Sequence, residues 1–130
     1  MESLVKIESS LIHAIESSFD GKNLPMPFLR EIFLIKTHVA GTSYLDLKET
    51  EANLTVGDKM IFVREPNNTH DKKAIKIVDI NGSKLGYIPR DKNEILANLM
   101  DAGKVIFGQL VHKAWHEEWL QIIVKVYMKD

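Results

Sequence analysis

The feature that most restricts this chain is a change of hydrophobic period near Glu31. Ahead of it, Leu4, Ile7, Leu11, Ile15 and Phe19 recur at helical spacing, with Ile12 widening the stripe and Glu2, Lys6, Ser9 and Glu16 opposite. Asp20-Gly21 ends that helix, and Pro25 and Pro27 make a stiff connection onward. Beyond Glu31 the period becomes that of strands, so most of the chain must solve the problem of pairing sheet edges.

Phe33, Ile35, Thr37 and Val39 alternate with Ile32, Leu34, Lys36 and His38, although both sets hold apolar members. Met60 to Val63 is a short apolar run, expected to be a strand buried on both sides. Ala74 to Ile80 is rich in β-branched residues and ends at Asn81-Gly82, which suits a type I′ hairpin turn, with Lys84 to Ile88 as the return strand. Pro89 closes that strand. A short helix is expected next, capped by Asp91 with Glu94 completing a capping box, striped by Ile95, Leu96, Leu99 and Met100, and stopped by Gly103. Val105 to Trp115 then turns at His116-Glu117-Glu118 into Trp119 to Met128. There Leu120, Ile122, Val124, Val126 and Met128 alternate with Gln121, Ile123, Lys125 and Tyr127.

About six strands, one inserted helix and no βαβ rhythm predict a mainly β fold, a closed or nearly closed antiparallel β-barrel. The organisation expected is an N-terminal amphipathic helix and linker over 1–24 and a barrel domain over 31–128. A length of 130 residues is one domain's worth. Cysteine is absent, which excludes disulfides and thiolate metal sites. No apolar run reaches membrane-span length and no signal pattern opens the chain, so a soluble, cytoplasmic protein is expected.

A net charge of −1 argues against coating nucleic acid through bulk electrostatics. The distribution is uneven, however. Residues 1–58 carry 5 Lys/Arg against 9 Asp/Glu, whereas residues 59–92 carry 8 against 4. The positive charge of that middle segment comes from Lys59, Arg64, Lys72, Lys73, Lys76, Lys84, Arg90 and Lys92, read either as a nucleic-acid contact or as solvated strand and loop faces.

Catalytic patterns are missing. His112 and His116 are four apart, but at a strand end that spacing does not converge two ligands, and Glu117 and Glu118 beside them suit a solvated hairpin tip. Gly82-Ser83-Lys84 lacks the spacing of a phosphate-binding loop, no Ser occupies a nucleophile elbow, and acidic residues are spread singly. Asp71 with Lys73 echoes a nuclease pattern whose middle acid is absent. No catalytic residue, metal ligand or cofactor is assigned.

The stretch Val63 to Ala74 differs in kind. It is a polar, turn-forming loop between apolar strands, with Pro66 fixing φ and Asn and Asp able to bond back to the local backbone. Arg64-Glu65-Pro66-Asn67-Asn68-x-x-Asp71-x-x-Ala74-Ile75 resembles the signature of the HIRAN family. Val39-Ala40-Gly41-Thr42-Ser43-Tyr44, Leu54-Thr55-Val56-Gly57-Asp58 and Gly82 to Arg90 resemble further family elements in the right order. The resemblance covers roughly residues 31–128 and is to a stand-alone, bacterial-type member. It implies a modified OB-like barrel, a module elsewhere fused to helicase-like ATPases, nucleases or zinc fingers. It also implies recognition of DNA, notably the 3′-hydroxyl end of a single strand.

Carried onto this chain, the resemblance assigns DNA contacts to Tyr44, Asn67, Asn68, His70, Asp71, Lys72, Tyr87 and Arg90. Tyr44 and Tyr87 offer faces for base stacking, worth about 1–3 kcal/mol per base, or are packing residues at the barrel rim. Asp71 suits a terminal hydroxyl as acceptor. Asn67 and Asn68 suit phosphate or a base edge, and Lys72 and Arg90 suit phosphates. Arg64 is instead read as bonding the loop backbone. Two departures bear on ligand: Ser43 replaces a basic residue, and Thr69-His70 replaces the commoner Pro-aromatic pair. Three function classes follow: a DNA-binding module for single strands or 3′ ends in repair or replication, a protein-interaction module associated with a helicase or nuclease, and a metal-dependent hydrolase. No membrane partner is expected.

Overall fold

Strand pairing rather than helix packing organises this molecule, as the period change at Glu31 requires. The structure is a computed structural model in which residues 30–129 are described, so the helix expected over 1–24 lies outside the described residues. Glu31–Lys129 form one folding unit. Six strands make it up: β1 (Glu31–His38), β2 (Lys59–Arg64), β3 (Ile75–Val78), β4 (Lys84–Tyr87), β5 (Val105–His116) and β6 (Trp119–Lys129). A 3₁₀ turn (Thr42–Tyr44) and a short helix α1 (Lys48–Ala52) follow β1, and α2 (Arg90–Asp101) follows β4. The sequence pattern anticipates α2 but not α1, whose Lys48-Glu49-Thr50-Glu51-Ala52 has no apolar period.

All pairs are antiparallel, in the order β1-β6-β5-β2-β3-β4. The sheet curls until its two outermost strands meet. Ala40, just past β1, bridges Tyr87 of β4, each N–H donating to the other's carbonyl at 2.8 and 2.9 Å. This contact nearly closes the barrel, and it explains Gly86. A Cβ there would lie 2.3 Å from the Ala40 carbonyl oxygen and 2.7 Å from Val39 Cγ1. The expected fold class, an antiparallel OB-like barrel, is the one observed.

The core fills the barrel with Met60, Ile75, Ile77, Leu85, Leu110, Leu120, Ile122, Val124 and Val126, all fully buried. Leu96 and Ala97 of α2 join it. Two β-bulges set which side chains reach this core. In β1 the register skips Leu34, so Phe33 faces outward opposite Tyr127, while Ile35 and Thr37 face inward. Simple alternation groups Phe33 with Ile35, and the bulge separates them. In β5 the extra residue is Val111, between pairs Leu110↔Val124 and His112↔Ile123.

Other expectations need correction. β2 is buried on one side only: Met60 and Phe62 are inside, but Ile61 is 41% and Val63 37% exposed. The turn at Asn81-Gly82 is not type I′, since Gly82 has φ 86 while Asn81 is not left-handed. Instead Asp79 O accepts from Gly82 N–H, and the Asp79 carboxylate accepts from Asn81 and Ser83 N–H at 2.9 and 2.8 Å. This is a three-residue loop with a left-handed glycine, and the buried Asp79 ends β3 before Ile80. Asp91 does not cap α2. Pro89 occupies the cap position with φ −58, so the helix begins two residues earlier than an Asp91 cap would start it, and no side chain completes the cap. Ile95 is 72% exposed, and the buried residues of α2 are Asn93, Leu96 and Ala97, three and four apart. Gly103, with φ 96, ends the helix as expected: its N–H bonds to Met100 O and that of Lys104 to Leu99 O.

No helix among the described residues is long and apolar enough to cross a membrane.

Candidate nucleic-acid interface

The polar loop between β2 and β3 is held in shape almost entirely by its own side chains. Asn68 Oδ1 accepts from the N–H groups of His70 and Asp71 at 2.8 and 3.1 Å, and Asn68 Nδ2 donates to Glu65 Oε1 at 3.0 Å. Asp71 Oδ1 accepts from Lys73 N–H at 2.9 Å, which starts the turn into β3. Backbone bonds from Glu65 N–H to Ala74 O and from Asn68 N–H to Glu65 O complete the frame. Arg64 fastens the base of the loop. Its guanidinium grips both carboxylate oxygens of Asp101 on α2, at 2.9 and 3.1 Å, and donates to Ala74 O at 2.8 Å. The backbone-bonding role expected for Arg64 is therefore observed.

This loop, β4 and the start of α2 surround a cleft of about 360 Å³. Asp71 lies in its wall. Asn93 Nδ2 donates to Asp71 Oδ2 at 2.8 Å, and Arg90 Nε lies 3.5 Å from the same oxygen. The Lys73 N–H and then the Asn93 amide hold the Asp71 carboxyl below the usual aspartate range, against burial, which ranks next and raises it, with the Arg90 charge adding a smaller lowering effect. Arg90 also donates to His70 O, which ties α2 back onto the loop. Lys73 Nζ reaches Asn98 Oδ1 at 2.7 Å, another tie between this loop and α2.

Also lining the cleft, Tyr87 donates its hydroxyl to Glu65 Oε1 at 2.8 Å, and Lys84 Nζ lies 4.6 Å from the centre of its ring. Glu65 is thus a hub. Burial works to raise its pKa, but the hydrogen bonds from Asn68 and Tyr87 and the charges of Lys76 and Lys84 prevail and lower it.

Of the residues assigned from the sequence, Asn68, His70, Asp71, Tyr87 and Arg90 line this one cleft. Asn67 and Lys72 lie on a neighbouring concavity lined by the loop residues Pro66 to Lys72 alone. Tyr44 is part of neither lining. It stands on the 3₁₀ turn four residues past Ala40, with its side chain 89% exposed. Glu65, Lys84 and Asn93 are not among the contacts assigned from the sequence, yet all three shape the site. Asn93 was findable in one respect: it is a polar residue on the face of α2 that otherwise holds Leu96 and Ala97.

His116 stacks on Trp119 with ring centres 5.1 Å apart, and its Nε2 is 2.9 Å from Gln121 Oε1. Among the described residues no group of three or more His, Asp or Glu side chains is arranged to hold a metal ion.

A nearly closed six-stranded barrel with a braced polar loop beside its closure defines an OB-like binding module. The HIRAN domain matches residues 32–129, and the chain belongs to that family. It is 31% identical over 92 residues to a Fanconi-associated nuclease 1 homolog of Arabidopsis thaliana, covering 71% of this chain and 10% of that protein. It is 34% identical over 68 residues to the helicase-like transcription factor of Oryctolagus cuniculus, covering 52% of this chain and 6% of that one. The chain therefore spans a tenth or less of these relatives' length. A crystal structure of a protein from Lactobacillus plantarum superposes with a TM-score of 0.72 at 27% identity, covering 78% of this chain and 98% of the other. The HIRAN domain of human HLTF superposes with a TM-score of 0.61 at 21% identity over 76% of this chain and 78% of the other. The same domain in its DNA-bound conformation gives 0.56 at 23% identity over 75% and 78%.

Proposed function

We propose that the cleft receives the 3′-hydroxyl end of single-stranded DNA, and that the module binds without performing chemistry, in the service of a repair or replication enzyme. The observation that carries this reading is the Asp71 carboxylate in the cleft wall, beside Arg90. A carboxylate repels phosphate but accepts a hydrogen bond from a hydroxyl, which a DNA strand offers only at an end. A lowered pKa keeps it an acceptor throughout the neutral range. Of its roughly four acceptor positions, Lys73, Asn93 and Arg90 use three, which leaves one on Oδ1 for a ligand.

The neighbouring groups suit the rest of such an end. Arg90 and Lys84 offer positive charge for the adjoining phosphate, and Tyr87 and Tyr44 offer ring faces for bases. Asn68 keeps one amide proton, and Asn67, His70 and Lys72 extend the contact surface along the loop. The DNA-bound fold neighbour supports DNA as the ligand class, and the nuclease and helicase-like names of the relatives support partners of those kinds.

Fluorescence anisotropy with one short oligonucleotide carrying either a 3′-hydroxyl or a 3′-phosphate tests the reading. The hydroxyl form is expected to bind about tenfold more tightly, and Asp71→Asn and Asp71→Ala to erase the difference. Equal binding of both forms by the unaltered protein overturns end recognition.

A further inference from the structure

The wall of the barrel formed by β1, β6, β5 and β2 carries a second pattern on its outer face. Register places Phe33 opposite Tyr127, Tyr127 opposite Phe107, and Phe107 opposite Ile61. These four side chains form one row across four neighbouring strands, about 14 Å from end to end. The rings touch: Phe33 meets Tyr127 edge-on at 5.8 Å between centres, and Phe107 stacks on Tyr127 at 5.6 Å. Phe33 is 52% exposed and Ile61 41%, whereas Phe107 between them is 8% exposed and Tyr127 half-buried, so the row opens to solvent at its two ends.

Lysines flank it. The next row reads Lys36, Lys125, Gln109 and Lys59 by the same pairings, and Lys129 lies on the other side, opposite Glu31 and Val105. Three of the ammonium groups already rest on the rings: Lys59 at 4.9 Å and Lys129 at 5.6 Å from Phe107, and Lys125 at 6.0 Å from Phe33. Glu31 is the one carboxylate in these rows.

We infer that this aromatic row with its lysine borders is a second binding surface, one for the interior of a single-stranded nucleic acid, distinct from the cleft that takes the end. The chemistry is that of a stacking platform. The exposed Phe33 ring and the half-buried Tyr127 ring receive splayed bases, with the buried Phe107 backing Tyr127, while cations beside them take the phosphates. Magnitudes favour the exchange. An exposed ammonium over a ring is worth about 0.5–1 kcal/mol, whereas a stacked base is worth about 1–3 kcal/mol. Lysine stems are long enough for each ammonium to move from ring to phosphate as a base takes its place. A protein partner fits less well, because the cores of such interfaces are depleted in lysine.

The surface stands independently of end recognition, and the test separates the two. The probe is a 20-nucleotide oligo-dT with a 3′-phosphate, which denies the cleft its hydroxyl, compared with a 3′-hydroxyl tetramer. Phe33→Ala and the pair Lys36→Gln/Lys59→Gln are each expected to weaken the blocked 20-mer about fivefold or more while leaving the tetramer unchanged. The lysine pair is also expected to lower the slope of log affinity against log salt by about 1.4. Asp71→Asn should do the reverse, affecting the tetramer alone. Because Phe33 is exposed, thermal melting separates folding from binding, and the lysine pair gives a second route that leaves the rings intact. Photo-crosslinking from internal 5-iodouracil is expected to label Phe33 or Tyr127. No binding of the 20-mer at low salt, affinities within twofold of the unaltered protein, or crosslinks confined to the cleft each overturn the inference. So does a stable complex in which a second protein chain covers this face.

Discussion

The cleft and the aromatic row occupy the same barrel and are built in opposite ways. In the cleft nearly every polar atom serves a neighbour: Asn68 holds two backbone N–H groups and Glu65, and Asp71 holds Lys73, Asn93 and Arg90. Its shape depends on an irregular loop, and the groups that would meet a ligand are also the ones that fix the backbone. The row is the reverse. Its side chains stand on regular strands whose ladders persist without them, and only ring contacts link one to the next. A surface of the first kind discriminates, because a wrong group leaves braced polar atoms unpaired. A surface of the second kind tolerates, because every base has a face to stack.

The largest expected effect comes from the contact that frames the cleft. Gly86→Ala puts a Cβ against the Ala40 carbonyl at a position with φ 150, so about 3 kcal/mol or more of stability should be lost in urea denaturation. A loss under about 1 kcal/mol would mean that the Ala40–Tyr87 bridge is not what holds the barrel shut. Next is Asn68→Ala. It strands the N–H groups of His70 and Asp71, at a cost of about 1–3 kcal/mol, and should erase any preference for a 3′-hydroxyl while sparing the blocked 20-mer.

Acid should act on the braced regions together. Glu51, Glu65, Asp71 and Asp101 all lie below the ordinary carboxylate range, Glu51 chiefly through Lys113 and Asp101 chiefly through Arg64. A depressed folded pKa contributes stability that is present above the unfolded value and lost as pH falls through the folded one. The melting temperature is therefore expected to be flat from neutral pH to about 5 and to fall below about 4. A decline beginning near pH 6 would point to histidine instead. The smallest effect is expected for Phe33→Ala, within about 1 kcal/mol of the unaltered stability, since its ring is half exposed. A larger loss would show the row to be part of the packing that holds β1.

Much of the fold was legible along the chain. The clean alternation of Leu120 to Met128, the glycine stop at Gly103 and the turn after Ile80 each rest on interactions within a few residues, and strand pairing follows wherever they say. The loop around Asp71 was legible for the same reason, since its Asn, Pro and Asp act on their own backbone. What failed was phase. The bulges at Leu34 and Val111 move the side chains beyond them to the other face, and nothing local marks them. Asp91 failed as a cap because Pro89 takes the cap position two residues sooner.

Turns, helix stops and alternation are short-range, so a strand-built domain of the HIRAN kind with one braced polar loop could be read along the chain. The full composition of the two surfaces, by contrast, follows from the three-dimensional fold. It drew Glu65, Tyr87, Arg90 and Asn93 around Asp71 from positions up to 22 residues away. It also gathered Lys36, Lys125 and Lys129 beside Lys59, the first three from segments with no excess of positive charge. Register between distant strands sets such neighbours, and register is a property of the closed sheet rather than of any one stretch of chain.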